Sequence, residues 1–218
     1  MIVINFKNYV TGKKALKLAK LIQKHLPSSI ICPSNFDVDL LSLSTRLKVY
    51  SQNVDLAPGN DSKGSGRKTG FQTIDSLKKS KIKGSLLNHS EHPISKEKIK
   101  AILEKAKKYR IRIILCVPSI GFLNSILRLK NKPYAIAFED PKLISTGKSI
   151  TRYNETSLKK FVKIMKKTKI IPLCGAGIST KEDYREALRL GCKGVLISSA
   201  IAKSKNPRKL LKGLSSTR

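Results

Sequence analysis

Apolar residues arrive along this chain in short blocks separated by polar, lysine-rich stretches. Eight blocks rich in β-branched residues read as strands: IVINF (2–6), SIICP (29–33), LKVYSQ (47–52), KGSLLN (83–88), RIRIILCV (110–117), YAIAF (134–138), KIIPLC (169–174) and KGVLIS (193–198). Most are apolar along their length instead of alternating, as parallel strands buried on both faces require. Between them the apolar positions repeat with helical spacing. In GKKALKLAKLIQKHL, Ala15, Leu16, Leu18, Ala19, Ile22 and Leu26 form one stripe, and lysines occupy the opposite face. The other helical stretches are DVDLLSLSTR, TIDSLKKSK, SKEKIKAILEKAKKY, SIGFLNSILRLK, NETSLKKFVKIMKK, STKEDYREALRLG and NPRKLLKGL. Ser95 ahead of Glu97, and Ser179-Thr180 ahead of Glu182-Asp183, mark helix starts.

This alternation predicts an α/β protein, a (β/α)8 barrel forming a single domain over residues 1–218. An open doubly wound sheet is the alternative. No GxGxxG follows the first strand, which argues against a dinucleotide-binding version of it. The longest interruption, LAPGNDSKGSGRKTG (56–70), reads as an elaborated loop after the third strand.

Composition adds limits. An apolar content of 40% supports a packed core and excludes a disordered basic tail. No apolar run approaches the ~20 residues of a membrane span, and MIVINFKNYV lacks the pattern of a signal peptide. The expectation is a soluble, cytoplasmic protein. Cys32, Cys116, Cys174 and Cys192 lie far apart with no CxxC pair, so they read as small buried hydrophobes and not as a zinc or redox site. With 45 Lys+Arg against 14 Asp+Glu the formal net charge is +31, a balance compatible with nucleic acid or anionic membrane surfaces. Lys96, Lys98, Lys100, Lys105, Lys107 and Lys108, however, spread around one helix with few aromatics for base stacking. A solvated coat is favoured over a nucleic-acid site.

In a (β/α)8 barrel the reactive residues gather at the C-terminal ends of the strands. Strand one ends in Asn5-Phe6-Lys7, strand four in Asn88-His89-Ser90-Glu91-His92 and strand six in Phe138-Glu139-Asp140. Strands seven and eight run into Gly175-Ala176-Gly177 and Ser198-Ser199-Ala200, whose small side chains let backbone N–H groups approach a phosphate. Together these predict an acid–base site for a small phosphorylated substrate. His25 and His92 read as structural or surface residues, and Asp140 as a solvated hinge.

INFKNY, LLNHSEH, AFEDPKLISTG, CGAGIST and GVLISSA, in that order, resemble the triosephosphate isomerase family in its compact archaeal form. The resemblance implies a TIM barrel that interconverts dihydroxyacetone phosphate and D-glyceraldehyde 3-phosphate with no cofactor and no metal. It implies Glu139 as the base that moves a proton between neighbouring carbons, and His89 as a neutral imidazole polarising the carbonyl, kept neutral by the N-terminus of the following helix. Lys7 matches the cation that meets the substrate dianion, Asn5 its positioning partner, and Glu91 the carboxylate that orients Lys7 or relays protons. Residues 140–147 match a lid that shields the enediolate. Ser145, Gly147, Gly175, Ala176, Gly177, Ser198, Ser199 and Ala200 match the phosphate cradle. Ser145 and Ala200 stand where the family pattern has glycine, a strained choice if either position has φ > 0. Thr69-Gly70 resembles the loop that family members insert into a neighbouring subunit, so a homo-oligomer, dimer or tetramer, is implied. Other phosphate-binding barrels, or a basic barrel that binds nucleic acid, are the alternatives.

Overall fold

A computed structural model of the chain describes residues 1–57, 69–144 and 146–216. Eight parallel strands alternate with helices: β1 (Ile2–Asn5), β2 (Ile30–Cys32), β3 (Lys48–Val49), β4 (Gly84–Leu87), β5 (Arg112–Val117), β6 (Ala135–Phe138), β7 (Ile171–Cys174) and β8 (Val195–Ile197). Their order in the sheet is β3-β2-β1-β8-β7-β6-β5-β4. The open alternative is overturned at the two ends of that order. The Ser51 N–H donates to the Gly84 carbonyl at 3.1 Å, and the Leu86 N–H donates to the Ser51 carbonyl at 2.9 Å. Ser51, two residues past β3, thus joins β4 and closes the sheet into a barrel.

The sheet explains why the strands do not alternate in polarity. Odd and even positions face two different apolar layers. Val3, Ile30, Cys32, Tyr50, Leu86, Ile114, Cys116, Ala135, Ala137, Leu173 and Leu196 fill the barrel interior. The register sets them side by side, with Val3 between Ile30 and Leu196, and Ala137 between Cys116 and Leu173. Ile2, Ile4, Ile31, Leu87, Ile113 and Leu115 face outward to the helices. Tyr50, the largest of these interior side chains, lies where a Cβ on Gly84 would strike its ring and approach the Arg112 carbonyl at 2.6 Å. A Gly84→Ala change would therefore overpack the barrel, at a cost of about 1–3 kcal/mol.

The helices are α1 (Gly12–His25), α2 (Val38–Ser44), α3 (Ile74–Lys79), α4 (Lys96–Tyr109), α5 (Ile120–Leu127), α6 (Ile150–Tyr153), α7 (Glu155–Met165), α8 (Lys181–Arg189), α9 (Ser199–Ala202) and α10 (Pro207–Ser215). On α1 the buried residues are Ala15, Leu18, Ala19 and Ile22; of the other two stripe positions, Leu26 just past the helix is buried and Leu16 packs partly buried against the core. The Ser95 side chain caps α4 by accepting from the Lys98 N–H. Thr180 and Asp183 form a reciprocal capping box on α8. All four cysteines are free and buried. No helix among the described residues is long and apolar enough to cross a membrane. Most of the loop read over 56–70 lies outside the described residues.

Candidate active site

At the mouth of the barrel, the chain leaves β1 through Asn5 and enters a left-handed conformation at Lys7, with φ +47°. Two contacts hold that strained turn. The Lys7 N–H donates to Asn5 Oδ1 at 2.9 Å, and Gln52 Nε2 donates to the Lys7 carbonyl at the same distance. The ammonium is thereby aimed across the barrel, where it meets Glu91 Oε1 at 2.6 Å. Lys7 is buried, whereas the Glu91 side chain is 53% exposed. The carboxylate sits on the solvent side of the cation.

His89 follows β4 at the same rim. Asn88, also left-handed at φ +58°, staples the loop: its Nδ2 donates to the Cys116 carbonyl and its Oδ1 accepts from the Ile94 N–H, both at 3.0 Å. The Glu91 N–H donates to His89 Nδ1 at 3.2 Å. An accepting Nδ1 carries no proton, so the proton of a neutral ring sits on Nε2. The Glu91 main chain thus sets the tautomer and orientation of the ring, and the next helix, α4, begins at Lys96.

Glu139 follows β6, which only β5 separates from β4, and is buried. Its neighbour Phe138 stacks on Phe161 of α7 at 5.2 Å between centroids, which fixes the strand end. Glu139 Oε1 lies 4.0 Å from His89 Nε2, while Oε2 has no hydrogen-bond partner among the described residues. A Cβ at Gly175 would lie 2.5 Å from Oε1, so only glycine leaves room for this carboxylate. Cys116 lies beneath it. Burial first, then the Glu139 charge, push the Cys116 thiol well above its ordinary value. The thiol stays protonated and offers no nucleophile.

A cavity of about 430 Å³ opens above these groups, lined by Asn5, Lys7, His89, Glu139, Gly147, Ala176, Gly177, Ser198, Ser199 and Ala200. Glu91 and Gly175 stand behind this wall. Glu91 lines a second, polar cavity of about 500 Å³ that it shares with Lys7 and His89. Ala176 and Gly177 are both left-handed, at φ +70° and +69°. Lys148 backbone atoms fill the space a Cβ on Gly177 would need, and the Ile150 N–H donates to the Ala176 carbonyl at 3.2 Å. The C-terminal end of the 140–147 segment is thus fastened to the turn after β7.

These geometries agree with the wider comparison. A family model described as Triosephosphate isomerase matches residues 1–214. The chain belongs to the triosephosphate isomerase family. Among relatives carrying that name, one from Pyrobaculum islandicum is 33% identical over 94% of this chain and 90% of its own length. Another, from Methanocaldococcus jannaschii, is 34% identical over 98% of both. A third, from Saccharolobus solfataricus, is 33% identical over 97% of this chain and 92% of its own.

Against that triosephosphate isomerase pattern, the two missing glycines separate. Ala200 lies inside α9 with an ordinary right-handed backbone, so its side chain causes no strain there. Ser145 lies outside the described residues. Asp140 is no free solvated hinge. Its Oδ1 accepts from the Lys142 N–H at 3.0 Å and its Oδ2 from Asn154 Nδ2 at 2.8 Å. Sequence reasoning missed α9, four residues being too short for periodicity, and with it Lys203. That residue lines the same cavity, and its ammonium lies 5.3 Å from the Tyr9 ring, with the Lys7 ammonium 5.8 Å from the same ring. Helical spacing from Ser199 would have brought Lys203 back to the cavity, had the short helix been foreseen.

Proposed function

We propose that the chain interconverts dihydroxyacetone phosphate and D-glyceraldehyde 3-phosphate through an enediolate, with Glu139 moving the proton. The observation that carries this reading is the pairing of the Glu139 carboxylate with His89 Nε2 across one cavity, 4.0 Å apart, with the Lys7 ammonium on the same wall. The carboxylate takes the proton from the hydroxymethyl carbon of the ketose. His89, its proton on Nε2, donates to the carbonyl oxygen as negative charge develops there. Lys7 faces that charge and the phosphate dianion, held by Glu91, Asn5 and Gln52. His89 then recovers a proton from the C1 hydroxyl while Glu139 delivers its proton to the neighbouring carbon, which gives the aldose and restores both residues, so no redox partner, cofactor or metal is needed.

The phosphate fits beside Gly147, Ala176, Gly177 and the Ser198-Ser199-Ala200 turn. The first N–H groups of α9, those of Ser199 and Ala200, have no intrahelical acceptor and face the same cavity. Residues 140–147, including Ser145, act as the lid. The setting is the cytoplasm, in glycolysis and gluconeogenesis. A homo-oligomer accounts for Phe36, 95% exposed beside the second cavity, and Leu43, 88% exposed on α2.

A coupled assay with D-glyceraldehyde 3-phosphate tests the reaction. Wild-type turnover is expected, with kcat lower by about 10²–10⁴-fold in Glu139→Gln. An inactive wild type overturns the reaction, and an active Glu139→Gln overturns the base.

A further inference from the structure

Outside the catalytic mouth, a groove of about 500 Å³ runs along α1 where it meets α9 and α10. Its floor is apolar. Leu18, Ile201 and Ala202 are buried, and Leu21 and Val10 pack partly buried against the core. Its rim is cationic: Lys14, Lys17, Lys20 and Lys24 from α1, and Arg208 from α10. No acidic residue among the described residues lines it.

What sets the rim apart is its alignment along an apolar channel, with no carboxylate among the described residues lining it. Some cations elsewhere meet carboxylates, as in Lys105 with Asp75, Lys159 with Glu155 and Arg189 with Glu186. Among the described residues none of the five rim cations has an ion-pair partner. Neither α1 nor α10 contains an acid within its span. The His25 side chain at the end of α1 registers the uncompensated field: burial first, then Lys212, Lys24 and Arg208, lower its pKa.

A row of cations flanking a sunken apolar channel has a specific complement. We infer that this groove binds an amphipathic acidic helix of a partner protein, with its apolar side in the channel and its carboxylates on the lysine rim. From Val10 to Lys24 the lining residues run the length of α1, on the order of 20 Å, which suits a helix of about 14 residues. Nucleic acid fits less well, because no aromatic side chain among the described residues lines the groove to receive a base. A bilayer fits less well too, because the apolar groups are recessed below the lysines and do not protrude.

The experiment is a fluorescence-anisotropy titration with a labelled peptide of about 14 residues, leucines along one helical face and glutamates flanking them. Its control is the same composition scrambled, so that charge is kept and the apolar face is lost. The patterned peptide is expected to bind at least about tenfold more tightly than the scrambled one. Lys17→Glu combined with Lys20→Glu should weaken it by at least about tenfold, and Leu21→Gln should weaken the patterned peptide alone. Unchanged isomerase turnover in these variants verifies that the barrel is intact; if Leu21→Gln fails to fold, the lysine variants still decide. Equal binding of both peptides overturns the inference, as does wild-type affinity in the lysine variants. Displacement of the patterned peptide by mixed-sequence single-stranded RNA or by phosphatidylserine vesicles, at lower concentration than unlabelled peptide, also overturns it.

Discussion

Glu91 grips two catalytic candidates at once, Lys7 through its carboxylate at 2.6 Å and His89 Nδ1 through its backbone N–H at 3.2 Å. The two grips are chemically separable, because only the first depends on the side chain. Glu91→Gln keeps the main-chain donor and loses the ion pair. Its kcat/KM should fall by roughly 10–100-fold through a freed Lys7, while the His89 tautomer, read by ¹⁵N NMR, stays with the proton on Nε2. A shifted tautomer in this variant would contradict the assignment of that bond.

Gly175 supplies the space that Glu139 occupies. Gly175→Ala puts a methyl group 2.5 Å from where Oε1 now lies, so the carboxylate must swing away from His89. The expected outcome is a kcat reduced by roughly 10²-fold with the chain still folded by circular dichroism. A wild-type kcat would show that the carboxylate works from another position.

A net charge of +31 surrounds a site for a dianion. If the coat steers substrate, kcat/KM should fall as ionic strength passes about 0.1 M, where the screening length is about 10 Å, while kcat barely moves. Stopped-flow or initial-rate kinetics across a salt series measure this. A flat kcat/KM assigns the lysines no part in capture.

His25 carries a pH signature. Its pKa in the fold is below the ordinary 6.5, chiefly through burial. The unfolded chain therefore takes up the proton first, and acid favours unfolding: this share of stability is present above 6.5 and drains away as pH falls through 6.5 toward the lowered value. The urea midpoint should drop between about pH 7 and about pH 5, and the drop should be smaller in His25→Gln.

Much of this could be read from residue order. All eight strands were legible because two-sided burial makes each a continuous apolar block, and the long helices because α1 and α7 carry clear stripes. The edges were less legible. LKVYSQ yields only Lys48–Val49 as strand, since Tyr50 turns into the barrel and Ser51 serves as the closing bridge. Asn5, Lys7, His89 and Glu139 were readable as strand-end polar residues, and the structure gathers all four around one cavity. What holds them was hidden. Gln52, Asn88 and the Glu91 main chain act across 45, 28 and two positions of sequence, and no periodicity reports such contacts. Lys203 was masked by the abundance of lysine.

The closing bridge at Ser51 sits next in sequence to Gln52, whose amide also donates to the Cys32 carbonyl at 3.2 Å. A one-residue joint of the ring and the brace behind Lys7 are therefore adjacent residues. If the ring parts at that joint on warming, the lysine is released with it. Loss of turnover should precede loss of secondary structure, so that heat silences this molecule as a catalyst before it melts it as a fold.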